Sequence, residues 1–335
     1  MALSQFKLFS SMDTNAPILN GVTGSLIPVL NYCLINGTGW IQPSASFSFN
    51  NPSVNNIAVY QQPSGSICIL YVNDAGPGAA LGKEAQVKGW DSLITMSAPF
   101  GTGSNEFPRF GQLLTNGHIT VAKSATANTT VNRPWYMFAD AYTFYLFILS
   151  GDTAGTYQSL FFGDIFSLQG PSDTQKCQIQ GRMTDNSPTS TTDQNDIITG
   201  LTLSFTAVAQ GSSGFINRTC GGVALSNWIS KLGDMSKTTT PATTLAMAGT
   251  LPCPNSSDKS IYMVPIFISE AFGTVVQLRG RMRGMYHICH PIASFYDGQM
   301  FYGTGEYFGK TFMVIKQGFN GGMWCIETSP TIETN

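Results

Sequence analysis

Three short runs in this chain bring reactive residue types close together. His287-Ile288-Cys289-His290 gathers two imidazoles and a thiol, a donor set that suits zinc. On a strand, however, side chains alternate in direction, so 287 and 289 face one way and 290 the other. The three converge only across a turn, for which Pro291 is placed, and the nearest acid is Asp297. With three histidines in the whole chain, the run reads better as a polar corner that satisfies its own hydrogen bonds. Gly303-Thr304-Gly305-Glu306-Tyr307-Phe308-Gly309-Lys310 has the glycine content of a phosphate loop but not the spacing of a dinucleotide fingerprint. Strand-type sequence follows it where a helix N-terminus is needed, so it reads as a glycine-rich β-turn. Gly211-Ser212-Ser213-Gly214 lacks the Gly-x-Ser-x-Gly spacing of a nucleophile elbow, and the remaining histidine, His118, has no distinctive context. None of the 19 acidic residues sits in an aromatic, pocket-like segment with a partner for glycoside hydrolysis. These residues point away from an enzyme, with no catalytic group, no cofactor and no metal expected.

The concentrated positive feature is Arg279, Arg281 and Arg283, alternating with Gly280 and Met282. On a strand their guanidinium groups share one face. That face is solvated, or set against carboxylates of a neighbouring subunit, since arginine forks suit interface acids, with nucleic acid or phosphate as the remaining alternative. A second candidate for assembly is the N-terminal segment 1–15, which has little periodicity of its own. It reads as a reaching arm, with Phe6 and Phe9 as its anchors.

The elements that must carry these residues are mostly strands. The chain has 335 residues, 42% hydrophobic and 12% aromatic, enough for a full core. Charged residues make up only 11%, where roughly 25% is usual. Gly, Ser, Thr and Asn take their place. Because charge keeps a free monomer soluble, a chain this poor in charge is expected to bury surface against neighbours, including copies of itself. A net charge of −2 offers no nucleic-acid footprint and no attraction to a membrane surface. No apolar run reaches bilayer length, and the first residues lack the pattern of a secretory signal. Seven cysteines, with no Cys-x-x-Cys pair, read as buried reduced thiols of a protein made in a cytoplasm. The four Asn-x-Ser/Thr sequons, at Asn36, Asn128, Asn217 and Asn255, are what this composition yields by chance.

One helix is clear. Leu26, Val29, Leu30, Cys33 and Leu34 form a single apolar face, with Ser25 placed as cap, Pro28 in the first turn and Asn36-Gly37 as the stop. Elsewhere the period is two. Phe47 and Phe49 alternate with serines. Ala85 and Val87 alternate with Glu84, Gln86 and Lys88, which predicts a half-exposed strand. Ile67 to Val72 is apolar on both faces, so it is expected to be covered on both. Trp135 to Phe138 and Tyr142 to Leu149 read as a hairpin around Asp140. Further strands are expected over 159–168, 177–183, 201–208, 260–269, 275–282, 310–316 and 322–328, and a second helix over 224–232. The predicted fold is mainly β, with sandwich- or barrel-like units. Residues 1–184 form an N-terminal unit with its docking arm and helix, 185–200 a Ser/Thr/Asn-rich linker or long loop, and 201–335 a C-terminal unit. A single intertwined β domain is the alternative.

Several runs also resemble a family of tailed-bacteriophage virion structural proteins. They include Ala16-Pro17-Ile18-Leu19-Asn20-Gly21, Arg133-Pro134-Trp135, Tyr145-Leu146-Phe147 and Phe162-Gly163-Asp164. They continue with Arg279-Gly280-Arg281, Ser294-Phe295-Tyr296-Asp297-Gly298, Gly309-Lys310-Thr311-Phe312 and Ile326-Glu327-Thr328-Ser329. The likeness spans nearly the whole chain in order and departs at Arg283-Gly284-Met285-Tyr286, where a proline and a bulky aromatic are usual. It implies a virion component made in a host bacterium, whose partners are other virion proteins. A minor subunit of tail, baseplate or neck is the leading expectation, and a capsid decoration protein its nearest rival. A tail-tip protein recognising host surface glycan is the rival from another class, using aromatics such as Trp40, Trp90 or Tyr157.

Overall fold

The computed structural model describes residues 6–42, 56–75, 82–96, 99–109, 117–151, 157–170, 173–182, 218, 232–233, 259–272, 275–290, 292–316 and 323–328. The expected strands at Phe47–Phe49 and 201–208, the helix at 224–232 and the linker at 185–200 lie outside these residues, apart from Leu232–Gly233. The fold is mainly β. Strands β1 (Lys7–Ser10), β8 (Trp135–Ala139), β9 (Thr143–Ile148), β10 (Gln158–Asp164) and β12 (Cys177–Gln180) form an antiparallel five-stranded sheet in the order β1-β8-β9-β10-β12. A four-stranded sheet runs β2 (Ile57–Gln61), β3 (Ile69–Asn73), β4 (Glu84–Trp90), β7 (Ile119–Ala122), and β5 (Ser92–Thr95) pairs with β6 (Thr102–Ser104). The third sheet has the order β13 (Leu232–Gly233), β14 (Met263–Phe272), β15 (Val275–Ile288), β18 (Met323–Thr328), β17 (Thr311–Lys316), β16 (Met300–Tyr302). It also takes in β11 (Phe166–Ser167), which pairs with β15 at Arg281 and Gly280.

The helix begins where its pattern predicts, but its cap comes from elsewhere. Helix α1 (Leu26–Leu30) passes through a π-helical turn (Asn31–Ile35) into α2 (Asn36–Thr38). Its first free N–H, on Leu26, is taken by Asp74 Oδ2 at 2.7 Å, while Ser25 Oγ donates to the Asn20 carbonyl. Asp74 is in turn paired with Lys123, and both side chains are fully buried. The stop is Gly39, at φ +75°, two residues past the expected Asn36-Gly37. Gly37 instead makes room for a neighbour. A Cβ there would lie 2.3 Å from the Phe9 ring, so only glycine lets that ring approach.

Strand β4 corrects the half-exposed expectation, because all seven of its residues are buried. Its polar face is covered: Lys88 bonds Glu106 at 2.5 Å and lies over the Trp90 and Phe100 rings, while Gln86 meets His118 at 3.1 Å. Strand β3 is buried on both faces, as its apolar run predicts.

One apolar cluster packs α1 between the first two sheets, through Leu26, Val29, Leu30, Leu70, Val87, Met137 and Leu146. A second joins the two halves of the chain. It combines Phe6, Phe138, Tyr145 and Phe161 with Ile266, Met282, Met313 and Trp324. At roughly 2–3 kcal/mol for each buried aromatic, this shared core together with β11 couples the halves much more strongly than a linker alone would.

Candidate functional site

The structure relocates both sets of residues that the sequence nominates for assembly. Phe6 and Phe9 are not the anchors of a free arm. Residues 7–10 pair with 136–139 as the edge of the five-stranded sheet, and both rings are buried. Phe6 meets Tyr145 edge-on at 5.6 Å, and Phe9 meets Tyr32 at 5.9 Å. The segment lacks a long apolar pattern because it is a four-residue strand whose alternation is too short to register.

The arginine strip is likewise used internally. Arg279 is fully buried and forms a two-pronged pair with Asp173, Nη2 donating to Oδ1 at 2.8 Å, and its Nη1 also donates to Ser167 Oγ at 3.0 Å. Burial, the largest single influence, pushes the Asp173 carboxyl up. The hydrogen bonds from Arg279 and Ser167, with the arginine charge, outweigh it and hold the carboxyl below its ordinary range. Arg281 stacks on Phe166, guanidinium carbon to ring centre 4.7 Å. Arg283 bonds Asp140 Oδ2 at 2.7 Å and stacks on Tyr142. The arginine forks do find carboxylates and rings, but in the first half of the same chain. They are clamps between the halves, and full burial removes Arg279 from any solvated face or subunit contact, while Arg281 and Arg283 stay partly exposed.

Other nominated residues also turn inward. Trp40, Trp90 and Tyr157 are 1%, 5% and 1% exposed, so the binding aromatics named from sequence are core residues. In the His287–His290 run, His290 Nε2 accepts the Tyr262 N–H at 2.8 Å and the His287 ring meets Trp324 edge-on. Among the described residues, no three His, Cys, Asp or Glu side chains gather where they could hold a metal. The glycine-rich run 303–310 is the turn between β16 and β17, with Gly305 and Gly309 at positive φ.

One group of exposed aromatic and apolar residues lies around that turn. Strand β16 ends the third sheet, and among the described residues its only strand partner is β17. Phe301 points into the core, while Met300 and Tyr302 point out at 45% and 79% exposure. Tyr296 in the preceding turn is 82% exposed and Phe308 in the following turn 86%. The backbone under them is pinned. Asp297 accepts from Tyr157 Oη at 2.6 Å and from the Lys316 N–H at 2.9 Å. Gly298 N donates to the Val314 carbonyl, Tyr296 N to Gln299 Oε1, and Gly303 N to the Lys310 carbonyl. Burial first, and then the Asp297 hydrogen bond, push the Tyr157 phenol up, so it stays a donor at neutral pH. These aromatics are therefore held out by a fixed scaffold. In the sequence they are ordinary turn and strand residues, and only their place on a sheet edge separates them from the buried aromatics.

No family model matches this chain, and no curated protein matches it in sequence.

Proposed function

We propose that this chain is a structural subunit of a bacteriophage particle, a minor component of the tail, baseplate or neck. It acts by assembling with other virion proteins and with copies of itself, and it performs no catalysis. The observation that carries the assembly reading is the pinned aromatic surface at β16. Interface cores are rich in aromatic residues and methionine, as are the exposed positions Tyr296, Met300, Tyr302 and Phe308, with the acids Asp297 and Glu306 exposed beside them. An exposed sheet edge also offers backbone groups to an incoming strand. The low charge of the chain supports the same reading. The particle itself rests on the ordered series of motifs that resemble virion structural proteins. Decoration of a capsid lattice would use the same surface. Tail-tip glycan recognition is the second reading, favoured by the exposed tyrosine faces, on which sugar rings stack.

Sedimentation of the full-length chain and of a Tyr302→Asp, Phe308→Asp variant tests this. Self-association, or binding to another particle protein, is expected through at least roughly 1,000 Å², and the variant should lose it while keeping its fold. A chain that stays monomeric at high concentration and binds no other component overturns the reading. Binding of host polysaccharide by the same monomer would favour the second.

A further inference from the structure

Strand β16 is a sheet edge whose outward backbone groups match those of a second β16. The Val314 N–H donates to the Gln299 carbonyl at 2.9 Å, and the Gly303 N–H to the Lys310 carbonyl at 2.8 Å. Bonded residues alternate along an antiparallel ladder. Gln299, Phe301 and Gly303 therefore face β17, and the N–H and carbonyl groups of Met300 and Tyr302 point off the edge of the sheet. Among the described residues nothing bonds them. The edge also lacks the usual guards against strand pairing, since Gln299 to Gly303 holds no charge and no proline. It is short as well. Gly298 at φ +75° and Gly305 at φ +59° turn the chain at its two ends. A long foreign strand would run into those turns, whereas a second β16 stops where the first does.

Resting on the assembly reading of this surface, we propose that its partner is a second copy of the chain, with the two β16 strands antiparallel about a two-fold axis that passes between their Phe301 residues. In that register Met300 stands opposite Tyr302 of the second copy. Each exchanges its N–H and carbonyl with the other, which gives four backbone bonds related in pairs by the axis and joins the two third sheets into one. Each Met300 side chain then lies beside a Tyr302 ring, a sulfur–aromatic contact. The paired strands bring no like charges together, because the exposed acids Asp297 and Glu306 belong to the flanking turns. The area is sufficient. Met300, Tyr302, Tyr296 and Phe308 are 45%, 79%, 82% and 86% exposed. At about 150–250 Å² for each buried aromatic side chain, they bring on the order of 500 Å² from each copy. That is about 1,000 Å² in all, the size from which an interface is specific.

Sedimentation and cross-linking of the full-length chain test this, and the parent is expected to be a dimer. Tyr302→Pro deletes an outward N–H in each copy and leaves every bond to β17 in place. With two of the four bonds gone, it should weaken the dimer by about tenfold or more, with the circular dichroism spectrum unchanged. Met300→Cys and Tyr302→Cys chains, mixed and oxidised, should form a disulfide between position 300 of one and position 302 of the other. Peptide mass spectrometry reads that link, which is expected in preference to links within either variant alone, and it remains decisive where the proline variant folds poorly. A Tyr302→Pro chain that folds and dimerises like the parent overturns the proposal, and so does a dimer without the 300–302 link. A parent that stays monomeric yet binds another particle protein overturns self-pairing alone and leaves the assembly reading standing. One that binds nothing removes both.

Discussion

Replacing the three clamp arginines one at a time should produce a steep gradient in folding stability, although they occupy alternate positions on one strand. Arg279 and Asp173 are both fully buried, and the arginine makes two bonds to the carboxylate and one to Ser167. Arg279→Met removes the partner of a buried carboxylate, which costs about 3–5 kcal/mol. Arg283 and Asp140 keep 12% and 9% of their side chains in water, so Arg283→Met is expected to cost roughly half as much, about 2 kcal/mol. Arg281 is half-buried and offers only its stacking on Phe166, worth about 0.5–1 kcal/mol. Urea unfolding followed by tryptophan fluorescence reads this series directly, since Trp324 lies in the shared core. The Arg279 loss should change little between low and high salt, because a buried pair is poorly screened. Pairing Arg279→Met with Asp173→Leu should recover much of the loss, since the stranded charge is then gone. Equal midpoints for Arg279→Met and Arg281→Met, or a strong salt dependence in the first, would refute the clamp.

Deleting residues 1–15 removes β1 and two buried aromatics at about 3–5 kcal/mol each. That rivals the 5–15 kcal/mol stability of a whole domain, so the truncated chain should lose cooperative unfolding by circular dichroism. A folded truncated chain would restore the arm. On acidification, Asp173 sets a definite sign. Its folded value lies below its unfolded one, so its contribution is present above about pH 4 and lost as pH falls through the lower folded value. The acid limb of the stability profile should therefore be shallower in Asp173→Asn than in the parent, and parallel limbs would contradict this. Burial pushes the Cys33, Cys177 and Cys325 thiols up. Under reducing native conditions these three should label slowly with a thiol reagent, and rapid labelling without denaturant would mean that the packing is not as described.

Local chemistry carries far in this chain. The hairpin of β8 and β9, the doubly covered β3 and the helix starting at Leu26 all follow from apolar periods of two or 3.6, because those periods decide which face an element can bury. The glycine-rich turn at 303–310 is legible for a similar reason, since positive φ at Gly305 and Gly309 is a backbone requirement written in residue type. Partner choice is not legible. The helix cap comes from Asp74, 48 residues away, and Arg279 and Arg283 find their carboxylates 106 and 143 residues away. The polar face of β4 reads as solvent-facing because alternation reports only that two faces differ, not that Phe100 and Glu106 will cover one of them. The same gap places Trp40 and Tyr157 among the binding aromatics and passes over Tyr302 and Phe308. An aromatic ring favours burial wherever it stands in the chain, and whether neighbours remain to bury it is settled by long-range strand pairing, which among the described residues stops at β16.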